Sequence, residues 1–405
     1  MYDAIVIGSR CAGAPTAMLL ARAGRRVLVV DRSTFPSDVL SGHAIQPAGV
    51  ARLRRWGLLD KVRATGAPFL GRVRFDVGPV VLEGAPTPID GISDTVCIRR
   101  TVFDALLTAE AADAGAEVRQ GFTVQALLWE GDRVVGIRGR DATGAVVEER
   151  ARIVIGADGA RSFVARAVGA PTYDEVPATT VNVYSYFRGL DLDGVHLYVR
   201  PNRFFVATPT NDGLTFVNQT VPIHEAHRYR GRMGEAFSET LADVPHLAER
   251  VAAGERVERF RWAPPGDAFF RVPAGPGWAL VGDAGYHLDP ITAQGMLDAF
   301  RDAELLAGAV DRGLSGDLSG ELLGYQRARD VAAAPMYEHT ARLADVESPP
   351  PPEMQELLAA LAGNPAQTSR FLGLIAGSVP LAQFFAPESV AAIFAEAEAS
   401  ASTAA

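Results

Sequence analysis

The first 30 residues alternate between apolar runs and glycine-containing turns. Tyr2 to Ile7 is a short apolar run typical of a strand buried on both faces, and Ala14 to Ala23 has the alanine and leucine content of a helix. Arg26 to Val30 predicts a second strand. The order strand, turn, helix, strand predicts an α/β domain that begins with a parallel sheet.

Two further strand-turn-helix patterns follow later in the chain. Arg152 to Ile155 predicts a strand that ends in a sharp turn, with a helix from about Phe163. Trp278 to Val281 predicts another strand, and a Gly-Asp turn leads on to a helix predicted over Ala293 to Leu306. These later segments are therefore expected to belong to the same α/β domain as the first.

The middle of the chain has a different, strand-rich pattern. Four segments either alternate between apolar and polar residues or are rich in aromatic residues, and proline and glycine separate them. They are Val181 to Arg188, His196 to Pro201, Phe204 to Thr208 and Leu214 to Val221. This pattern predicts an antiparallel sheet. Its side chains are either core residues or the wall of a substrate cavity, and the cavity candidates are Tyr184, Tyr186, Tyr198, Phe204, Phe205, Phe216 and Asn218.

The C-terminal part begins after a run of four prolines, Pro349 to Pro352. This stiff segment ends the preceding helix, and alanine-rich helices are predicted to follow to about residue 399. These helices either cover the domain or join a dimer interface, so a monomer and a homodimer both stay open.

Composition and charge narrow the class of protein. The 405 residues are 48% hydrophobic, enough for a large core, and the net charge of -9 leaves no basic surplus for a nucleic acid or an anionic membrane. No apolar run approaches the length of a membrane helix. The first strand starts at Tyr2, which leaves no room for a secretory signal. We therefore expect a cytoplasmic protein with a small-molecule substrate.

The first turn has the chemistry of a nucleotide site. Gly8 allows a tight turn, the following helix offers free N–H groups to a pyrophosphate, and Gly13 lets that helix pack close to the strand. Asp31 ends the second strand, where a carboxylate accepts hydrogen bonds from ribose hydroxyls. Arg10 occupies the place of the middle glycine, so its side chain either points away from the phosphates or helps to bind them. A tight turn in an unrelated α/β protein is the alternative.

The Gly282-Asp283 turn predicts the other end of the same site. Asp283 is placed to accept a hydrogen bond from a ribityl hydroxyl, and the N–H groups near Gly295 and Met296 would face the flavin edge that becomes negative on reduction. The alternative is a simple turn with an aspartate cap.

These motifs, in this order, resemble the FAD-dependent monooxygenase superfamily typified by para-hydroxybenzoate hydroxylase, which includes flavin halogenases and geranylgeranyl-reductase-like enzymes. The resemblance rests on the glycine loop with Asp31, on Asp158-Gly159, on Gly282-Asp283 with Pro290 and Gly295, and on Arg100 at the start of Arg-Thr-Val-Phe-Asp. It implies noncovalent FAD held by Gly8, Arg10, Cys11, Ala12, Gly13, Asp31, Arg32, Arg100, Val124 (through its backbone, at the adenine), Asp158, Asp283, Pro290, Gly295 and Met296.

The resemblance also implies the architecture. We expect an α/β, Rossmann-like, doubly wound, three-layer FAD-binding domain over residues 1–70, 95–175 and 275–340. An interleaved antiparallel-sheet substrate domain would comprise residues 71–94 and 176–274. Residues 341–405 would form a helical C-terminal segment.

The implied activity is hydroxylation or epoxidation of a small aromatic or polyketide-like secondary metabolite through a flavin C4a-hydroperoxide. The alternatives are a geranylgeranyl-reductase-like reductase of prenyl double bonds and a flavin-dependent halogenase. The halogenase signature Trp-x-Trp-x-Ile-Pro is missing, whereas Thr292 and Leu297 replace residues common in hydroxylases. The chain has no second glycine fingerprint, so NADH or NADPH would bind transiently, or a partner flavin reductase would deliver reduced flavin.

Three residues are candidates for catalysis. His43, in a glycine-marked and proline-marked loop, is placed to hydrogen-bond the flavin or a phenolic substrate and to change charge near neutral pH. Tyr286 and Asp289, with His287 between them, precede Pro290, and one of this group would relay a proton or anchor substrate. Two candidate ligands on one loop are too few for a metal, so no metal site is predicted. The structural alternative for His43 is a loop role.

Overall fold

The computed structural model of the chain describes residues 1–41 and 43–404. Gly42, in the predicted loop before His43, and Ala405, the end of the predicted C-terminal segment, lie outside the described residues.

The described residues form strands throughout the first 290 positions. The strands are β1 (Tyr2–Ile7), β2 (Val27–Asp31), β3 (Ala44–Ile45), β4 (Phe69–Leu70), β5 (Val73–Asp76), β6 (Val81–Gly84), β7 (Thr95–Cys97), β8 (Glu117–Gln120), β9 (Thr123–Glu130), β10 (Arg133–Arg140), β11 (Val146–Gly156), β12 (Thr172–Val176), β13 (Thr180–Arg188), β14 (Val195–Arg200), β15 (Arg203–Pro209), β16 (Leu214–Pro222), β17 (Glu255–Arg256), β18 (Arg261–Ala263), β19 (Ala268–Arg271), β20 (Ala274–Gly275), β21 (Trp278–Leu280) and β22 (Tyr286–His287).

Helices connect these strands and form the last part of the chain. They are α1 (Gly13–Arg22), α2 (Pro47–Arg55), α3 (Leu59–Ala64), α4 (Arg100–Asp113), α5 (Phe163–Ala167), α6 (Met233–Leu241), α7 (Pro245–Ala253), α8 (Gly295–Leu314), α9 (Leu318–Ala344), α10 (Pro352–Leu361), α11 (Pro365–Ile375), α12 (Leu381–Phe384) and α13 (Pro387–Ala404). Short 3-10 helices occur at Asn211–Gly213, Ile223–Tyr229, Gly282–Ala284 and Pro290–Thr292.

The first sheet has the order β20-β21-β11-β1-β2-β8, and β21, β11, β1, β2 and β8 run parallel. The centre is β1, with Ala4 paired to Val27 on one side and Ile153 on the other. Because the central strands β1 and β2 and the end of β11 are buried on both faces, the sheet needs a cover on each side.

The two covers of this sheet differ. Helices α1, α4 and α8 bury one face, where the fully buried Phe300 contacts Trp56 and Phe103 with ring centroids 5.2 Å and 6.0 Å apart. The antiparallel ribbon β9-β10-β11 and the short α5 bury the other face. The predicted three-layer α/β fold is confirmed, and its third layer is mainly a β-ribbon instead of helices.

The second large sheet has the order β17-β13-β16-β15-β14-β5-β6, with β18 also paired to β13. Strands from residues 71–94 and from residues 176–274 therefore share one sheet, as an interleaved substrate domain would require. Two three-stranded sheets, β12-β19-β22 and β3-β7-β4, connect the two large ones. The exact domain boundaries stay a prediction.

Most element bounds lie within one or two residues of the predicted ones, but β11 begins six residues before the predicted Arg152 and α8 ends eight residues after the predicted Leu306. The helix predicted from Ala293 begins at Gly295, because Ala293 has a left-handed backbone (φ 52°) after the 3-10 turn Pro290–Thr292. A residue in that conformation ends one helical segment before another can begin.

The C-terminal helices cover the second sheet. Leu361, Leu372 and Phe384 pack with Leu70, Leu82 and other residues of β4 to β7 and β14 in one apolar cluster. Ser378 donates a hydrogen bond to the Thr87 carbonyl at 2.5 Å. Among the described residues, no helix is long and apolar enough to cross a lipid bilayer.

Candidate active site

Three turns far apart in the sequence meet at the carboxyl ends of the central parallel strands. The turn after β1 contains Gly8, the turn after β11 contains Ala157 and Asp158, and the turn after β21 contains Gly282 and Asp283. In open α/β sheets this edge is where ligands bind.

Two glycines make this meeting possible. A Cβ atom on Gly13 would lie 1.8 Å from the Gly8 carbonyl oxygen, and one on Gly282 (φ 60°) would lie 2.6 Å from the Ala12 Cβ atom. Neither position can hold a larger residue without moving the backbone. The first and last motifs are therefore in direct contact through Ala12 and Gly282.

Asp31 is nearly buried and holds the glycine loop. Its carboxylate accepts hydrogen bonds from the Ser9 and Ser33 amide N–H groups, both at 2.8 Å. Each oxygen retains a second lone pair, so the predicted ribose contact is chemically compatible with this position. Arg32, beside it, is exposed.

A fully buried carboxylate, Asp104 on α4, lies between two arginines. Arg100 donates to it from Nε at 2.8 Å and from Nη2 at 3.0 Å, and Arg10 donates from Nη1 at 2.5 Å. The Cys11 thiol also lies 3.6 Å from this carboxylate, and burial raises the pKa of Cys11 to about 12. Cys11 is therefore a neutral thiol in the loop.

Arg10 also holds the segment after β2. Its guanidinium donates to the Ser37 carbonyl at 3.3 Å and to the Ser37 hydroxyl at 3.1 Å, and it lies 5.2 Å from the centre of the Phe35 ring. The arginine that replaces the middle glycine thus connects the loop, α4 and residues 33–37. Its role at the phosphates stays a prediction.

The Asp283 carboxylate lies close to a histidine. His287 Nδ1 lies 3.6 Å from its carboxylate, and the Asp283 side chain is 46% exposed to the space between the motifs. Partial burial raises the pKa of Asp283, but the nearby His287 and the charge of Arg100 outweigh it and leave that pKa below its usual value. Burial lowers the pKa of His287, yet Asp283 and Asp289 leave it raised. The pair is therefore favoured in its ionised form.

The N-terminus of α8 lies open beside this pair. Gly295 is exposed, with no atom within 4 Å of the position of a Cβ, and the Gln294 side chain makes no cap to the helix. The first N–H groups of a helix need partners. The Met296 side chain lies in the core, so any contact from Met296 would come from its backbone.

The remaining predicted cofactor residues have structural roles. The Asp158 carboxylate accepts from the Ser162 hydroxyl and the Phe163 N–H, both at 2.6 Å, and so holds the start of α5. Val124 lies at the start of β9, paired with Gly139. Pro290 is exposed in its 3-10 turn. None of these placements tests contact with a cofactor.

One face of the second sheet carries an aromatic cluster directed at the first domain. We call it the aromatic wall: Tyr184, Tyr186 and Phe216 with His43. The His43 ring lies 5.6 Å from Tyr186 and 5.5 Å from Phe216, and Tyr184 lies 5.0 Å from Phe216. Beside the wall, Asn218 donates to the Asn182 side-chain oxygen at 3.0 Å.

His43 does not titrate near neutral pH, which corrects the sequence-based expectation. Its side chain is 1% exposed, Nε2 is hydrogen-bonded to the Tyr186 hydroxyl, and Nδ1 has no partner among the described residues. Burial, with the charges of Arg100, Arg99 and Arg261, lowers the pKa of His43 to about 3. The histidine is thus a neutral part of the wall.

Two predicted cavity residues lie on the opposite face of the sheet. Phe205 and Tyr198 are buried against α6 and α7, away from the aromatic wall, and their contact with substrate stays a prediction. Phe204 is on the other face, where it packs beside the C-terminal helices. Alternation identified two faces of β15 but did not show which one faced the cleft.

The Tyr286 and Asp289 side chains turn away from the cleft. Tyr286 is 2% exposed and packs against Phe270, with ring centroids 4.7 Å apart, and its catalytic role stays a prediction. Asp289 accepts from the Thr180 hydroxyl at 2.7 Å and the Ile291 N–H at 2.9 Å, which caps the 3-10 turn. A catalytic role for Asp289 stays a prediction.

The sequence analysis missed the charged side chains that join the two domains. Arg99 lies 4.5 Å from the Tyr186 ring centre and pairs with Glu258. Arg261 pairs with Asp38 at 2.6 Å. The partners Arg99 and Glu258 are 159 residues apart in the sequence, so no local spacing indicated this pair.

The polar groups at the three turns fit FAD. Uncapped N-termini of α1 and α8 suit a pyrophosphate and the flavin carbonyl edge, and the Asp31 and Asp283 carboxylates suit ribose and ribityl hydroxyls. The open space at Gly295 leaves room for a close ring.

Comparison with known proteins agrees with this fit. A protein family described as an FAD binding domain matches residues 1–340. The chain is 31% identical to "Digeranylgeranylglycerophospholipid reductase 2" of Methanopyrus kandleri over 73% of each chain. It is 28% identical to "6-methylpretetramide 4-monooxygenase" of Streptomyces rimosus over 81% of this chain and 79% of that one.

The fold also matches a solved structure along its whole length. The flavin-dependent brominase Bmp2 superposes with a TM-score of 0.81, at 19% identity, over 98% of this chain and 99% of that one. At this identity the likeness concerns the fold alone.

Arg10→Ala should loosen residues 33–37. The substitution removes a charged hydrogen bond to Asp104, and we expect a loss of about 2 kcal/mol in the free energy of unfolding with faster amide exchange in this segment. Urea unfolding and hydrogen exchange measure both. Arg25→Ala, which breaks a similarly exposed pair with Asp311, is the matched control and should leave exchange in 33–37 unchanged. Equal exchange in both variants would contradict the assigned role.

His43→Gln should reduce the loss in the free energy of unfolding that occurs as the pH falls. The folded pKa of His43 (about 3) is below its unfolded value, so between pH 6.5 and pH 3 the unfolded chain binds a proton that the folded chain does not. Wild-type stability should therefore fall by up to about 1.4 kcal/mol per pH unit over this range from this group. Urea midpoints at pH 7 and pH 5 measure the slope, with the exposed His224→Gln as control. An unchanged slope in His43→Gln would show that His43 is not held neutral.

Proposed function

The chain belongs to this FAD-binding family and is an FAD-dependent oxidoreductase, and from that premise we propose that it is a monooxygenase of a small aromatic or polyketide-like compound. The product would carry a new hydroxyl group or an epoxide.

The aromatic wall is the observation that carries this proposal. Its rings lie on the sheet face that meets the cofactor domain, because His43 belongs to the segment after β2 and contacts Tyr186 on β13. Flat, apolar walls with a few polar groups favour aromatic ligands, which gain from offset or edge contacts between rings. The Asn182, Asn218 and Thr220 side chains beside the wall are hydrogen-bonded to one another, and they would offer polar atoms to hydroxyl or carbonyl groups of such a compound.

The chain's own residues would hold FAD, orient the substrate and exclude water from the site. Asp31 and Asp283 would accept hydrogen bonds from FAD hydroxyls, and the N-termini of α1 and α8 would face its negative groups. When bound, FAD supplies the redox chemistry that activates O2. One oxygen atom would enter the product and the other would leave as water, with two electrons from NADH or NADPH or from flavin reduced by a partner enzyme.

The wall contributes no proton near neutral pH. His43 is neutral, and burial raises the pKa of Tyr184 to about 12 and that of Tyr186 further. We infer that these side chains exclude water and position the substrate ring. Protons would come from solvent or from the substrate itself.

A reductase of prenyl double bonds is the second candidate. The identity of 31% to the digeranylgeranylglycerophospholipid reductase favours it, as does the spacing of Pro290 and Gly295. Such a reaction would add two electrons and two protons to a double bond and would consume no oxygen.

Isotope labelling separates the two candidates. We expect 18O from 18O2 in the product when the FAD-loaded protein receives NADH, NADPH or a flavin reductase and a panel of phenols and 6-methylpretetramide. Mass spectrometry of products measures the label. A geranylgeranyl lipid is the paired substrate, and its saturation without 18O, with no oxygenated aromatic product, would contradict the monooxygenase.

Asp283→Asn should weaken FAD retention. Loss of the negative acceptor and of the pair with His287 should raise the dissociation constant about tenfold, equal to about 1.4 kcal/mol. Fluorescence titration of the apoprotein with FAD measures it. Asp141→Asn, in an exposed turn at the far end of the β-ribbon, is the control. Equal affinity in both variants would remove Asp283 from the cofactor site.

A further inference from the structure

The second sheet has an apolar groove on the face opposite to the aromatic wall. Helices α6 and α7 lie on this face and leave between them a space of about 440 Å³. Its floor is a trio of rings, in which Phe237 lies 4.7 Å from Phe260 and 6.2 Å from Phe187. This volume lies within the range of small-molecule sites.

Small residues keep the groove open. Gly234 and Ser238 are one turn apart on α6, and Ala248 and Ala252 are one turn apart on α7, so each pair lies on one side of its helix. A Cβ on Gly234 would already meet the Phe260 ring at 3.4 Å. The helices therefore cannot fill the space with their own side chains.

One positive charge stands at the rim. The Arg256 guanidinium lies 4.4 Å above the Phe260 ring and has no carboxylate within ion-pair distance among the described residues. The nearby acids already have partners, because Glu255 pairs with Arg188 at 2.9 Å and Glu235 with Arg232 at 3.2 Å. Arg256 is therefore the one charged side chain among the described residues that line the groove.

We propose that the groove binds an amphipathic monoanion, namely a carboxylic acid with an aliphatic or aromatic body. The body would lie on Phe187, Phe237 and Phe260, and the carboxylate would pair with Arg256. Guanidinium and carboxylate form two parallel hydrogen bonds, which gives the site a preference for acids over neutral amphiphiles. The sheet separates this site from the aromatic wall, since Phe187 and Tyr186 are successive residues of β13 and point to opposite faces.

Decanoate and decan-1-ol are matched probes for the test. We expect calorimetry of the FAD-loaded protein to show saturable binding of decanoate, with decanol at least about tenfold weaker. Arg256→Gln should reduce decanoate affinity to that of decanol and leave decanol unchanged. Arg259→Gln, an exposed arginine outside the groove, is the matched control and should bind as wild type.

A second variant tests the groove itself. Ser238→Phe, at an exposed position on the rim, should fill the space and abolish binding of both probes. The flavin absorption spectrum should not change when decanoate binds. Absence of saturable decanoate binding, equal affinity in Arg256→Gln and wild type, or a spectral shift that places the probe beside the flavin would each overturn the proposal.

Discussion

The close approach of α1 to the turn after β1 is the constraint on which the rest of the site depends. The position of a Cβ on Gly13 is 1.8 Å from the Gly8 carbonyl oxygen, so only glycine lets the helix begin there. This contact directs the N-terminus of α1 at the carboxyl edge of the parallel sheet. It also brings Ala12 against Gly282 and so fixes the last motif, about 270 residues away, beside the first. The two predicted ends of the cofactor site therefore meet only because Gly13 and Gly282 carry no side chain.

Ion pairs hold the segments around the glycine loop together. Burying the Asp104 carboxylate without partners would cost several kcal/mol, and here Arg100 and Arg10 satisfy it from two directions. The pair with Arg100 is local to one helix, whereas the pair with Arg10 joins that helix to the glycine loop. An arginine in place of a loop glycine thus acts as a connection between segments. Arg99, Glu258, Arg261 and Asp38 extend the same principle across the boundary between the two sheets.

Sequence pattern predicted the elements well because each depends on neighbours along the chain. The strands β1, β13 and β16 were predicted to within one residue at each end, and the motif residues meet as the parallel order requires. The sequence pattern did not show where a side chain points when its packing partner lies far away in the chain. Phe205 alternates correctly but faces α6, and Tyr286 follows the Gly-Asp turn but packs on Phe270. His43 was expected to titrate, and only the three surrounding arginines and its burial in the folded chain show otherwise.

Successive residues of β13 lie on opposite faces of the second sheet and therefore line different surfaces. Tyr186 belongs to the wall that faces the cofactor domain, while Phe187, the next residue, forms the floor of the outer groove. Since a one-residue slip would exchange these faces, the pairing of β13 with β16 must be held in register. Nine consecutive pairs from Thr180–Pro222 to Arg188–Leu214, without a bulge, provide that register. A rigid central ladder therefore separates a neutral aromatic surface from a positively rimmed apolar one, and the chemistry of each can vary without disturbing the other.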